Sequence, residues 1–340
     1  MTHRLPIPLL AALLLPLPLA AQSFGDSPAF GGSRVFSGGF DPLGNSARFD
    51  QVPVGWYGSW EGGDLKPRGF KADSDALDQA LQSGDAAAAT LDLQNLQGLP
   101  FPVRRRAYGL EYAGTGGVRF AFGREALTGV LATDPSAPLS PAFEARRVEV
   151  DRFVTGAGSS SGGSAYGITF RAEHVRFGTQ ALAGVAPNAA LGFGGTDRSA
   201  WGLTSDAGFI TDLTEGLRFG LTVNRLIPRH YWDVYERPQA RAGFELDLGT
   251  AARLSVEGDL NEAARLPMPQ KQKTLSSSLR ILATPTVTLL LGAERRTVDG
   301  VSSTLAGVSV RIATAPLVLG LGFQFGDDRP QSALAMRLGG

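Results

Sequence analysis

The stretch RAGFELDLGTAARLSVEGDL, residues 241–260, alternates apolar and polar side chains almost without a slip. Phe244, Leu246, Leu248, Leu254 and Val256 share one parity, and Arg241, Glu245, Asp247, Arg253, Glu257 and Asp259 share the other. Because residues i and i+2 of a strand lie on the same face, the stretch reads as two strands joined by a short turn at Gly249 and Thr250. One face is as apolar as a protein core; its opposite carries charge. In water the apolar face must turn inward, whereas in a bilayer it turns outward and the charged face lines a lumen.

The same period of two recurs in GLRFGLTVNR, TVTLLLGAE, LAGVSVRI and LVLGLGFQF, and less regularly before residue 200 in VPVGWYGSW, RRRAYGLEYA, GGVRFAFG, EARRVEVDRFV and GSAYGITFRAE. About fourteen strands are expected, within a range of roughly 12–16, as an all-β, transmembrane antiparallel β-barrel. Arg218, Asn224, Glu245, Asp247, Arg253 and Glu257 then fall on the lumen-facing parity. Over the last nine strands, tight connections such as IATAP, LATPT and DLGTAA alternate with longer, charged ones: RLIPRHYWDVYERP, DLNEAARLPMPQKQK, RRTVDGVSS and GDDRPQS. Short turns on the periplasmic side and long loops outside are expected of such barrels, which places the C-terminus in the periplasm.

The N-terminus supports export. MTHRLPIPLLAALLLPLPLAAQ has a basic start at Arg4, an apolar run over 9–19 and small residues Ala20 and Ala21, as a signal peptide over 1–21 requires. Its apolar run is short of the ~20 residues of a spanning helix. A luminal N-terminal segment over 22–50 and a barrel over 51–340 follow. Within the barrel, SDALDQALQSGDAAAATLDLQNLQG, residues 74–98, breaks the alternation; Leu77, Ala80 and Leu81 at helical spacing predict one or two short helices. They belong in the barrel mouth or lumen, or on the surface as a helical hairpin.

Composition removes several functions. The 340 residues carry 32 basic and 32 acidic side chains, so no basic excess suggests a nucleic-acid partner. Cys is absent, which removes disulfides, thiolate metal sites and cysteine nucleophiles. GSSSG, 158–162, matches a nucleophile elbow in letters only, since that motif needs a following helix and here a Ser/Gly loop follows. His174 and His230 have no nucleophile at a telling spacing, and the acids of DLNEA follow no calcium-loop pattern. No catalytic residue, metal or cofactor is assigned.

RHYWDVYERP concentrates Tyr231, Trp232 and Tyr235 beside Arg229. Such residues suit an outer aromatic girdle with its loop or an external binding patch, and Trp56, Tyr57 and Trp60 share the girdle reading.

The start FGDSPAFGGSRVFSGGFDPLGNSARF (24–49), the insert closing on LQNLQGLPFPV (93–103) and the Gly-punctuated strands ending QSALAMRL (331–338) together resemble the TraF-type conjugal-transfer barrels of the outer membrane. Those are similar to the long-chain fatty-acid transporter family and to gliding-secretion barrels. DPLGNSARF stands where such families carry an Asn-Pro-Ala segment; here Asn45, Ser46 and Ala47 follow one another without the Pro. The chain also ends AMRLGG, where outer-membrane barrels usually finish on an aromatic residue. The resemblance implies a roughly fourteen-stranded barrel with an N-terminal segment reaching into its lumen. Three functions follow as expectations: passage or binding of hydrophobic small molecules, with outer-membrane lipid as surroundings; an accessory barrel holding secretion or conjugation partners through 225–238 and 261–272; and a soluble exported β-sandwich.

Overall fold

The computed structural model describes residues 35–36, 45–51, 54–64, 70–97, 104–134, 139, 142–184, 195–266, 268–298, 300–314, 317–325 and 331–339. In chain order the strands are β1 (Gly55–Asp64), β2 (Arg104–Ala113), β3 (Val118–Asp134), β4 (Ala142–Ser161), β5 (Ser164–Ala183), β6 (Arg198–Thr214), β7 (Leu217–Asn224), β8 (Arg229–Tyr231) and β9 (Val234–Glu236). There follow β10 (Gln239–Asp247), β11 (Ala252–Asp259), β12 (Ala263–Arg265), β13 (Met268–Thr284), β14 (Val287–Val298), β15 (Val301–Thr314), β16 (Leu317–Phe325) and β17 (Gln331–Gly339).

Every neighbouring pair is antiparallel, and β1 pairs with both β2 and β17, so the sheet closes on itself. The ring has fourteen strands; β12 is a short addition beside β13, while β8 and β9 form a separate hairpin. Closure gives every strand of the ring a neighbour on both sides, which is what a sheet in hydrocarbon needs.

The pleat answers the question posed by residues 241–260. Phe244 is 52% exposed and Glu245 only 3%, and Leu246, Leu248, Leu254 and Val256 are exposed with Phe244. Register repeats the pattern across the wall: Phe244 lies opposite Phe219 and Val256. An exterior of Leu, Phe and Val around a charged interior inverts a water-soluble fold, and it is stable only where the exterior solvent is lipid.

Connections alternate between the two ends of the barrel throughout. Turns between β2 and β3, β4 and β5, β6 and β7, β10 and β11, β13 and β14, and β15 and β16 share one end; the helical insert and the connection containing β8 and β9 share the other. One expectation about length fails. Strand pairing runs through most of RRTVDGVSS in place of a long loop: Thr297 pairs with Ser302 and Val298 with Val301, and Gly300 takes φ +85°.

Wall height is uneven. β4 and β5 have 20 residues each, about 66 Å along the strand at ~3.3 Å per residue, whereas β7, β10 and β11 have 8, 9 and 8. The chain between β7 and β10 therefore leaves the wall early.

The helical insert forms α1 (Phe70–Ser83) and α2 (Ala86–Gln97). Asp85 starts the second helix, its carboxylate accepting from Ala87 N and Ala88 N at 3.0 Å each. Leu77, Ala80, Ala89 and Leu93 are buried against Phe143 and Ala145 of β4, with Leu182 of β5 beside them. Phe143 and Ala145 share the parity of exposed Phe153, and Leu182 that of exposed Phe170. The helices thus pack on the outward face beyond the apolar belt, so the surface-hairpin alternative describes them and the lumen does not. Burial of Leu77 and Leu93 contributes about 1.5–3 kcal/mol each.

Candidate functional site in the barrel lumen

The six residues assigned to the lumen parity fall into three places. Arg218, Glu245, Asp247 and Arg253 form one ion cluster on β7, β10 and β11: Arg218 meets Glu245 at 3.0 Å and Asp247 at 2.9 Å, and Arg253 meets Asp247 at 2.9 Å. Glu257 joins a second cluster, pairing with Arg241 at 2.8 Å while Arg241 also holds Asp259 at 2.9 Å. Asn224 is buried at the end of β7, and its Oδ1 meets no donor among the described residues.

Between these clusters the N-terminal segment lies against the wall. Gly158, Gly167 and Gly208 are consecutive register partners on β4, β5 and β6, all on the inward parity. A Cβ at Gly167 would sit 2.2 Å from Ser46 O, and one at Gly208 only 1.7 Å from Asn45 Oδ1. The three glycines make a trough in which backbone meets backbone, since any side chain would fill it. Asn45 uses the approach: its Nδ2 donates to Phe209 O and Leu221 O, both at 3.2 Å, and its Oδ1 accepts from Ala47 N at 3.0 Å. Phe49 lies under the Arg119 guanidinium, 4.5 Å from ring centroid to Cζ. Further back, Val35 and Phe36 join Ala47, Ala165 and Ile210 in a buried apolar cluster, and Val35 N donates to Glu257 at 2.9 Å. Asn45, Ser46 and Ala47 are thus the residues that fix the segment to the wall.

The other end is occupied by the hairpin of β8 and β9. At Arg225 the chain takes φ +58°, its N–H donates to Asp206 at 2.7 Å, and Leu226 N donates to Ser205 O at 2.8 Å. These contacts turn the chain inward rather than up. Arg229 then pairs with Glu173 of β5 and, at 2.6 Å, with Glu236, which also meets Arg225 at 3.1 Å. Glu173 continues to Arg152 at 2.9 Å, Arg152 to Glu125 at 2.6 Å, and Arg171 to Asp206 at 2.7 Å. Burial by itself would raise the Glu236 carboxyl, but Arg225 and Arg229 outweigh it and hold it below the ordinary range. Burial pushes the Tyr231 phenol up to about 12.

This placement differs from an outer girdle. Arg229 and Tyr231 are buried, Trp232 stacks on Phe177 at 4.9 Å, and only Tyr235 is well exposed, at 48%. Gly202 explains why: a Cβ there would lie 1.9 Å from the Tyr231 hydroxyl, so the missing side chain admits the ring. Tyr231 packs with Val148, Val150, Val175 and Phe177, giving the lumen a second apolar patch. Sequence patterning located neither the trough nor the ion network. A usable signal for the network was the strict parity of Arg171 and Glu173 in RAEHV; the glycines look like ordinary punctuation until strands are in register.

A cavity of about 870 Å³ opens at the short-turn end, lined by Ser160–Ala165, Ile210, Asp212, Arg218 and Asp247 among others. It borders the apolar cluster through Ala165 and Ile210. The serines of GSSSG end β4 and enter a turn at Gly162 and Gly163 followed by β5, so they form no nucleophile elbow. His174 faces outward, stacked on Trp201 at 4.7 Å. Among the described residues no group of metal-ligating side chains is present. In DLNEA, Asn261 braces the loop, accepting from Ala240 N and donating to Pro238 O at 2.8 Å each.

No protein-family model and no curated protein matches the chain. Solved structures do match its fold. The CymD monoaromatic hydrocarbon channel superposes with a TM-score of 0.57 at 10% identity, covering 96% of this chain and 97% of that one. The Ralstonia pickettii toluene transporter TbuX gives 0.56 at 12% identity over 94% and 98%. A Pseudomonas putida toluene transporter, TodX, gives 0.54 at 9% identity over 92% and 95%. At such identities the likeness is one of fold.

Proposed function

We propose that the chain is a bacterial outer-membrane barrel that binds and passes hydrophobic small molecules through a lumen closed by its own chain. The observation that carries this reading is the occupation of the lumen by two pieces that are not wall: the segment around Asn45 in its glycine trough, and the hairpin of β8 and β9. Each packs apolar groups against the wall, Val35 and Phe36 in one case and Tyr231 and Trp232 in the other. A ligand moving along the lumen would exchange contacts with these groups while either piece shifts. The fold shared with channels named for toluene and other monoaromatic hydrocarbons supports a substrate class of small apolar molecules.

The remaining assignments extend the same reading. A signal peptide over 1–21 would export the chain; it lies outside the described residues, as does most of the luminal segment over 22–50. Short turns and the C-terminus would lie in the periplasm, with the helical insert outside. Among the described residues the lumen is lined by ion pairs, such as Arg218 with Glu245 and Arg241 with Glu257. An accessory role in secretion or conjugation, which the TraF-type resemblance suggests, would draw on 225–238 and 261–272; in the first of these Arg229 and Tyr231 pack inward, while Leu226, Ile227 and Tyr235 stay exposed.

Fractionation should place the protein with detergent-requiring outer-membrane proteins, with altered migration on unheated gels. Reconstituted into vesicles with an outer leaflet of lipopolysaccharide, it should admit toluene faster than protein-free vesicles of the same composition do. No permeation, together with no hydrophobic molecule co-purifying, would refute the proposal.

A further inference from the structure

We infer that the outward face of β2, β3, β4 and β5 carries a binding site for the phosphorylated headgroup of an outer-leaflet glycolipid. This rests on the outer-membrane reading but not on transport. Register aligns the outward residues in rows. Leu110, Phe122, Phe153, Ala172 and Leu203 form one row of consecutive partners, and four of them are large, exposed apolar residues of the lipid-facing belt. One pleat further from the short turns, about 6.6 Å along the strand, the row becomes Tyr108, Arg124, Asp151, His174 and Trp201. The next is Arg106, Ala126, Glu149 and Arg176, and Arg147 follows on β4. Apolar side chains give way within one step to charge flanked by Tyr108 and Trp201, as at the level where hydrocarbon meets headgroups.

The charge on this shelf is unbalanced. Arg124 chelates Asp151, Arg176 reaches Glu149 at 3.0 Å and Asp151 at 3.1 Å, and Arg147 reaches Glu149 at 2.6 Å. With exposed Arg106 there are four guanidiniums to two carboxylates. The carboxylates fix the arginines in place without neutralising them. Each guanidinium has five N–H donors suited to phosphate oxygens, more than the two carboxylates take up. Ala126, between Arg106 and Glu149 in the row, leaves a notch. The shelf is also bounded: the helical insert covers Phe143 and Ala145 immediately above Arg147, and the apolar belt continues below it. A ligand fitting both parts has acyl chains for the Leu110, Phe122, Phe153 and Leu203 surface and a phosphate for the arginines, which is the chemistry of a phosphorylated acyl glycolipid.

The test uses full-length protein in detergent micelles, titrated with bisphosphorylated lipid A, dephosphorylated lipid A, phosphatidylglycerol or inorganic phosphate, with bound lipid counted by native mass spectrometry. Bisphosphorylated lipid A should bind at least about tenfold more tightly than its dephosphorylated form and than phosphatidylglycerol, and inorganic phosphate should not displace it. An Arg147→Gln, Arg176→Gln double variant should lose about tenfold of that preference, whereas the lumen variant Arg253→Gln should keep it. Unheated gel migration reports that each variant is folded; should the double variant misfold, Arg106→Gln alone should still weaken binding. Equal binding of the phosphorylated and dephosphorylated forms, displacement by inorganic phosphate, or undiminished preference in folded variants would overturn the inference. A protein that fractionates with outer membranes yet fails here refutes this site alone, while one extracted without detergent refutes the membrane reading beneath it.

Discussion

Gly208→Ala should release the N-terminal segment from the barrel wall while leaving the outer surface untouched. The added Cβ would lie 1.7 Å from Asn45 Oδ1 and 3.1 Å from Ala47 N, and the strand cannot retreat because β6 is paired with both β5 and β7 at this level. Asn45 must therefore withdraw by well over an ångström, which breaks its two bonds to Phe209 O and Leu221 O. Their loss costs about 1–3 kcal/mol in all, and residual overlap costs about 1–3 kcal/mol more. The docked state should thus lose roughly 2–6 kcal/mol, a factor of about 30 or more in population. The absence of Cys makes the assay clean. Ser46 is 1% exposed, so a Ser46→Cys reporter should react slowly with a water-soluble maleimide and at least about tenfold faster when Gly208→Ala is added. Equal labelling rates in two folded variants would refute the seating of Asn45 in the trough.

Other consequences follow from the same geometry. Phe244→Arg should lower folding stability in bilayers by roughly 2–4 kcal/mol if Phe244 lies near the midplane, measured by urea titration in vesicles, whereas Asp247→Asn, at a lumen carboxylate that is 30% exposed, should alter single-channel current with a smaller loss; equal effects on folding would overturn the facing of β10. Glu236→Gln removes the carboxylate shared by Arg225 and Arg229 and should free the hairpin at a cost of about 3–5 kcal/mol, seen as faster proteolysis at Arg237 and a shift in tryptophan emission. The pH dependence has two sides. Because the folded Glu236 carboxyl is lowered from its ordinary value of 4.5, its contribution is complete above that value and is lost as acid titrates the folded group; emission should hold from neutrality to about pH 5 and change only below. Because Tyr231 is raised from 10.0 to about 12, its contribution is present below pH 10 and lost as pH rises through about 12; Tyr231→Phe should remove the alkaline transition alone.

Residues 241–260 show how far sequence reaches. Alternation is a property of neighbouring residues, so the chain by itself determined the strands, their two faces and the breaking of the pattern by an Ala- and Leu-rich helical insert; it pointed to a barrel in lipid but left a soluble sandwich open until β1 was seen to pair with both β2 and β17. It also put Arg218, Glu245, Asp247, Arg253 and Glu257 on one parity. What those residues do was settled by register. Arg241 meets Glu257 because β10 and β11 pair as they do, and Gly158, Gly167 and Gly208 become a trough only when three strands, separated in the chain, align. Aromatic composition suggested a girdle for RHYWDVYERP, but the absent side chain at Gly202 and the charge of Glu173 drew Tyr231 and Arg229 inward. Contacts between residues far apart in sequence leave no periodic trace, and a missing side chain leaves none at all; the tertiary structure alone decided which charges meet, where the N-terminal segment rests and what fills the lumen.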